Sequence, residues 1–157
     1  METDPDIAKL EAQEAGLRWR RFDLGTAWEL GQALRTAALA RGAALTIEVR
    51  LLGQTAFTSV MPGTTPANAD WARRKRNTVE LLHSSSYLVG LRLGRDGSSL
   101  EARMGLATRD YASHGGCVPI VVDGVGCVGN ATVSGLPQRE DHELVVGVMA
   151  AMIAAQG

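Results

Sequence analysis

Two of the three histidines in this chain stand where an imidazole can do chemistry. His114 precedes Gly115-Gly116-Cys117-Val118-Pro119-Ile120, and His142 follows Asp141 at the start of an apolar C-terminal stretch. A neutral imidazole can ligate haem iron or zinc, or take up a proton, and its other nitrogen needs an orienting partner. Asp110 or Asp141 could supply that partner. Gly115 and Gly116 let the backbone take positive φ so that a ligand can approach closely, or they simply turn the chain into a strand. His142 falls in the first turn of an expected helix, whose positive end keeps the ring neutral, while Glu140 and Asp141 beside it act the opposite way. The pair Asp141-His142 reads as part of a binding or active site, or as a capping acid next to a histidine bonded to a neighbouring loop. Arg74 and Lys75 are consecutive, so they point about 100° apart on a helix. They read as anchors for a carboxylate or propionate, to which the arginine fork is suited, or as a solvated helix face. His83 ends the same helix, where an imidazolium interacts well with the dipole.

Other chemistries find less support. Zinc needs about four N, S or O ligands, and the set Cys117, Cys127, His114 and His142 matches no standard zinc spacing. Haem needs an apolar pocket and an axial ligand such as His, Met or Tyr, and no CxxCH attachment motif is present. Neither a GxGxxG opening a helix after a strand nor a GxxxxGK[ST] loop occurs, so nucleotide phosphate cradles are unsupported. Cys117 lies inside an expected strand, three residues after His114, which gives no clear geometry for an activated thiol.

The elements that must position these residues follow from periodicity. Asp4-Pro5 starts a first helix, with Ile7 and Leu10 at helical spacing and Gly16 as its stop. Leu17, Trp19 and Phe22 suggest a short extended piece. Asp23 caps a second helix whose stripe is Leu24, Ala27, Trp28, Gly31, Leu34 and Ala38. Leu45, Ile47, Val49 and Leu51 alternate with Thr46, Glu48 and Arg50, a half-buried strand that turns at Gly53-Gln54 into a second over 55–61. Asn68 is expected to cap a third helix over 69–83, with Trp71, Thr78 and Leu82 on one face and Arg73, Arg74, Lys75 and Arg76 on the others. Residues 87–93 read as a short helix, and 99–113 as an aperiodic surface crossing. Two strands over 118–122 and 126–134 join at Asp123-Gly124, a hairpin signature. The last helix runs from about Gln138 to Ala155, and a second subunit is expected to cover its apolar face. Hairpins and helices in this order make an α+β domain.

Composition bounds the function classes. The chain has 157 residues, 45% hydrophobic and 21% charged, with a net charge of -1. That suits one soluble domain and supplies no field to recruit nucleic acid or an anionic membrane. No apolar run approaches the roughly 20 residues that span a bilayer, and the acidic start Met1-Glu2-Thr3-Asp4 does not resemble a secretory signal. Two cysteines are too few for a disulfide scaffold, so reduced thiols and a cytoplasmic location are expected.

The combination of Trp71-Ala72-Arg73-Arg74-Lys75, His83-Ser84, His114-Gly115-Gly116, Pro119-Ile120, Val133-Ser134-Gly135-Leu136-Pro137 and Asp141-His142 resembles the UPF0303 family, over about residues 5–155. That family sits within the haem-degrading-domain group, with the GlcG and HbpS-like proteins and the C-terminal domain of PduO-type proteins. The resemblance implies a profilin-like α+β fold with a central antiparallel sheet of about five strands. It also implies homo-oligomers, commonly dimers that assemble further, and haem as a candidate ligand through the wider group. The leading reading is a small-molecule or tetrapyrrole binding protein whose site gathers His114, Gly115, Gly116, Asp141 and His142, with Arg74 and Lys75 as anion contacts. An enzyme acting on a small carboxylate-bearing metabolite, with His142 as general base, is the alternative. A non-catalytic assembly or partner-binding protein is the third.

Overall fold

The structure, a computed structural model, describes residues 4–157. Met1-Glu2-Thr3 and the side chains of Asp4 and Pro5, where the first helix cap was expected, lie outside the described residues. The elements in chain order are α1 (Asp4–Gly16), α2 (Leu24–Ala40), β1 (Thr46–Leu51), β2 (Gln54–Val60), α3 (Pro66–Leu82), α4 (Ser86–Arg95), α5 (Leu100–Met104), β3 (Cys117–Val122), β4 (Gly126–Ser134) and α6 (Gln138–Ala155).

Both expected hairpins form, and β1 pairs antiparallel with β4, so that the sheet order is β2-β1-β4-β3. The alternation read in β1 divides the two faces. Ile47 and Val49 join Val118, Ile120, Ala131 and Val133 on an apolar face. On that face α2 covers β1 and β2 while α6 covers β3 and β4, and Leu30, Leu34, Val145 and Met149 complete the core. Thr46, Glu48 and Arg50 lie on the other face with Asn130, Thr132 and Ser134, since side chains alternate along a strand. There α3 packs on the sheet. Ion pairs from Arg76 Nε to Glu48 Oε1 (2.9 Å) and from Arg50 Nε to Glu80 Oε1 (2.6 Å) join the helix to β1.

Four differences from the sequence reading have physical causes. The sheet holds four strands rather than five. Trp19 makes a single parallel bridge to Val122 at the β3 edge, and the chain enters α2 five residues later, leaving no run long enough for a strand. The segment 99–113 contains α5, which is capped by Ser99 but spans five residues, too few for a period to show. α3 begins at Pro66 after Thr65, and Asn68 is its third residue, whose Oδ1 accepts from Thr65 N at 2.9 Å. The apolar face of α6 packs within the chain itself against α2 and the sheet, with Val148, Met152 and Ile153 partly buried.

Candidate functional site

Asn68, Trp71 and Lys75 follow i, i+3, i+7 spacing and so share one face of α3. That face meets the β4–α6 turn (Ser134, Gly135, Leu136), the first turn of α6 (Gln138, Asp141) and His114 around a hollow of about 270 Å³. Lys75 lies at its floor, 4% exposed, where the solvated helix face was the alternative. Its Nζ donates to Asp141 Oδ2 at 3.1 Å and to Val133 O at 3.4 Å. Asp141, 1% exposed, also accepts from Leu136 N at 3.0 Å through Oδ1, which pins the turn to the helix. Burial raises the Asp141 pKa above the ordinary carboxylate value, against the opposing pull of Lys75 and of the Leu136 and Gly135 amides. A pair so desolvated is weak support for stability, and its role is to fix geometry.

His114 stands exposed on the rim, its ring edge-to-face with Trp71 at 5.1 Å between centroids. Partial burial, then the charges of Lys75 and Arg74, lower its pKa and favour the neutral ring. Neither expected orienting carboxylate holds it. Asp110 is paired with Arg73 Nη1 at 3.0 Å, and Asp141 is occupied as described.

The remaining sequence candidates do not line this hollow. Arg74 points away from Lys75, as consecutive helix residues must, and its Nη2 donates to Thr108 O at 2.6 Å while its guanidinium lies 4.3 Å over the Trp71 ring. Gly115 and Gly116 are small because the protein, not a ligand, approaches them. A Cβ on Gly115 would collide with Gln138 O, and one on Gly116 (φ 141°) would lie 2.5 Å from Val133 O and 2.8 Å from Lys75 Nζ. His142 turns from Asp141 into a separate recess. It is 3% exposed, its Nε2 donates to Gln13 Oε1 at 3.0 Å, and its ring leans on Tyr87 at 5.0 Å. Burial holds its pKa down at about 4, and its Nδ1 is buried without a partner. The sequence pair Asp141-His142 is therefore split, and so are the two imidazoles. Cys117 and Cys127 are both free thiols, and burial pushes the Cys117 thiol up, away from the reactive thiolate. No three His, Cys, Asp or Glu side chains among the described residues are grouped to hold a metal ion.

Sequence reasoning missed Asn68, Trp71, Ser134, Gly135, Leu136 and Gln138 as lining groups. The helical spacing of Asn68, Trp71 and Lys75 was the available signal. The contribution of the turn needed the antiparallel pairing of β4 with β1.

A family model for haem degrading HbpS-like protein matches residues 22–150. A UPF0303 protein of Azotobacter vinelandii is 53% identical over 153 residues, covering 98% of this chain and 92% of the relative. Among solved structures, the crystal structure of Ybr137w protein superposes with a TM-score of 0.89 at 27% identity, over 97% of this chain and 90% of that one. The crystal structure of a PduOC–haem complex superposes with a TM-score of 0.67 at 18% identity, over 78% of this chain and 88% of that one, a likeness of fold. No helix among the described residues is long and apolar enough to cross a membrane.

Proposed function

This chain belongs to the UPF0303 family and carries the HbpS-like haem-degrading domain, and from that premise we propose that it binds a small carboxylate-bearing molecule in the hollow between α3 and the start of α6. One observation carries the reading: the amide and carboxylate oxygens on the wall are engaged, and several donors are left over. Asn68 Oδ1 is taken by Thr65 N, Gln138 Oε1 by Gly115 N, and both Asp141 oxygens by Leu136 N and Lys75. What remains for a ligand is the amide Nδ2 of Asn68, the Nε2 of Gln138, a third N–H of the Lys75 ammonium and the first turn of α6, whose Pro137 cap offers no side chain. Such a wall suits an acceptor-rich group, and the helix end favours its negative charge. Trp71 and Leu136 supply apolar contact. A titration of isotope-labelled protein with simple carboxylic acids tests this. Amide shifts are expected at residues 68–75, 114–116 and 134–141, and shifts that are absent or confined elsewhere overturn it.

Haem is the second reading, favoured by the domain match and by one feature of the site: His114 presents an accessible neutral imidazole. The hollow, at about 270 Å³, falls below the range of about 300–1,000 Å³ usual for small-molecule sites, so it does not enclose a porphyrin. His114 would hold a haem at this hollow, with Trp71 and Lys75 among the residues lining it. Bound there, haem would supply a redox-active iron. A Soret shift on haemin titration that disappears in His114→Ala is expected on this reading, and no shift at stoichiometric haemin removes it.

The proposal includes a homo-oligomer and assigns His142 no proton transfer at this site. The general base of the enzyme reading faces Gln13 in another recess.

A further inference from the structure

A second hollow, of about 200 Å³, lies on the other side of His114. His114 is the wall the two share, and the stacked pair of Trp71 and Arg74 continues it, Trp71 lining the first hollow and Arg74 the second. The two floors differ in chemistry. The first is polar and built on Lys75. The second is apolar: Leu100 (7% exposed) and Ala112 (3%) are buried there, and Leu106 and Tyr111 pack on the hydrophobic cluster of Val89, Leu93 and Leu100. Its one acid, Glu101, is engaged by Thr108 Oγ1 at 2.8 Å. Each hollow alone is smaller than the roughly 300 Å³ at which small-molecule sites usually begin, and together they exceed it. Where His114 divides them, the wall is an exposed ring packed edge-to-face on Trp71, with no hydrogen bond holding it.

We infer that the two hollows form one bipartite site and that its ligand class is an amphipathic monocarboxylate, with the carboxylate head over Lys75 and an apolar tail crossing His114 onto Leu100, Leu106 and Tyr111. This inference rests on the proposal that the first hollow takes a carboxylate. The head is held by hydrogen-bond donors, and the tail by burial that discriminates length.

Calorimetric titration of the full chain with the straight-chain acids from acetate to decanoate tests it. Affinity should rise about fourfold for each methylene that enters the second hollow, the factor that burying one such group supplies, and then level off. Leu106→Asn should flatten this rise while leaving acetate binding as it was, and Tyr111→Ser should do the same should the first variant fold poorly. Binding of acetate with no gain along the series overturns the bipartite site and leaves the first hollow standing as a carboxylate site. A gain with length that survives both variants also overturns it, because the tail is then elsewhere. Failure of every acid to bind overturns the inference together with the reading it rests on.

Discussion

At the scale of single residues, His142 and Lys75 show how far burial redirects chemistry. His142 is held neutral by burial, with a pKa near 4 against an ordinary 6.5. Above pH 6.5 the folded and unfolded chains are both neutral at this position. As the pH falls from 6.5 towards 4, the unfolded chain binds a proton that the folded chain refuses, so stability present above 6.5 is lost across that window. The loss is about 2 kcal/mol at pH 5 and levels off near 3 kcal/mol below pH 4. Asp141, with its pKa raised by burial, acts in the opposite sense, so the difference between variants isolates the histidine. Urea unfolding of the wild type should weaken more between pH 7 and pH 5 than that of His142→Gln. Parallel losses in the two proteins would assign the acid sensitivity elsewhere. The residue types at 75, 114 and 141 were legible in the sequence as chemistry. Which neighbour each would face was not, because a 100° step on a helix separates Lys75 from Arg74 and Asp141 from His142, and only the packing of the helix decides which one turns inward.

Elements explain why the hollow exists where it does. α3 reaches across the polar face of the sheet, and the chain from β4 turns at Gly135 into α6, so the hollow is the gap between one helix face and another helix end. β1 and α6 were legible from their periodicity, and the two hairpins from their turn residues, Gly53-Gln54 and Asp123-Gly124. α5 and the single bridge at Trp19 were not, because neither spans a full period. α1 is held by a few polar contacts. Glu14 accepts from Ser84 Oγ at 2.9 Å and Ser85 N at 2.6 Å, Gln13 accepts from His142, and Ile7 is buried. These contacts also tie α1 to the cap of α4, since Ser85 Oγ accepts from Leu88 N. Glu14→Ala should therefore speed amide hydrogen exchange in residues 7–16 and 85–89 well ahead of β1 and β4, with carboxylate binding unchanged, because no described α1 side chain lines the hollow. Uniform acceleration across the sheet would show instead that α1 unfolds only with the whole.

The whole molecule is a sheet with one apolar and one polar face, and the candidate site lies on the side that α3 covers. The apolar face, under α2 and α6, supplies the main core. What this arrangement leaves open is the outer side of α2. Leu24, Trp28 and Leu39 fall within about 60° of one another around the helix, and each is more than half exposed (54, 55 and 60%). Val60, 65% exposed, ends the neighbouring edge strand β2, which carries no charged residue and no proline to discourage pairing. An apolar stripe running beside an unguarded edge is the surface a second copy of this chain can cover, by laying α2 on α2 or β2 on β2 about a twofold axis. Sedimentation of the wild type should then give a mass that is a multiple of 16.6 kDa. Trp28→Glu combined with Leu39→Glu should reduce it towards a single chain that stays folded, with a modest fall in melting temperature because Trp28 also packs edge-to-face on Phe57. A wild type that sediments as one chain, or a double variant that keeps the full mass, would remove α2 from the interface.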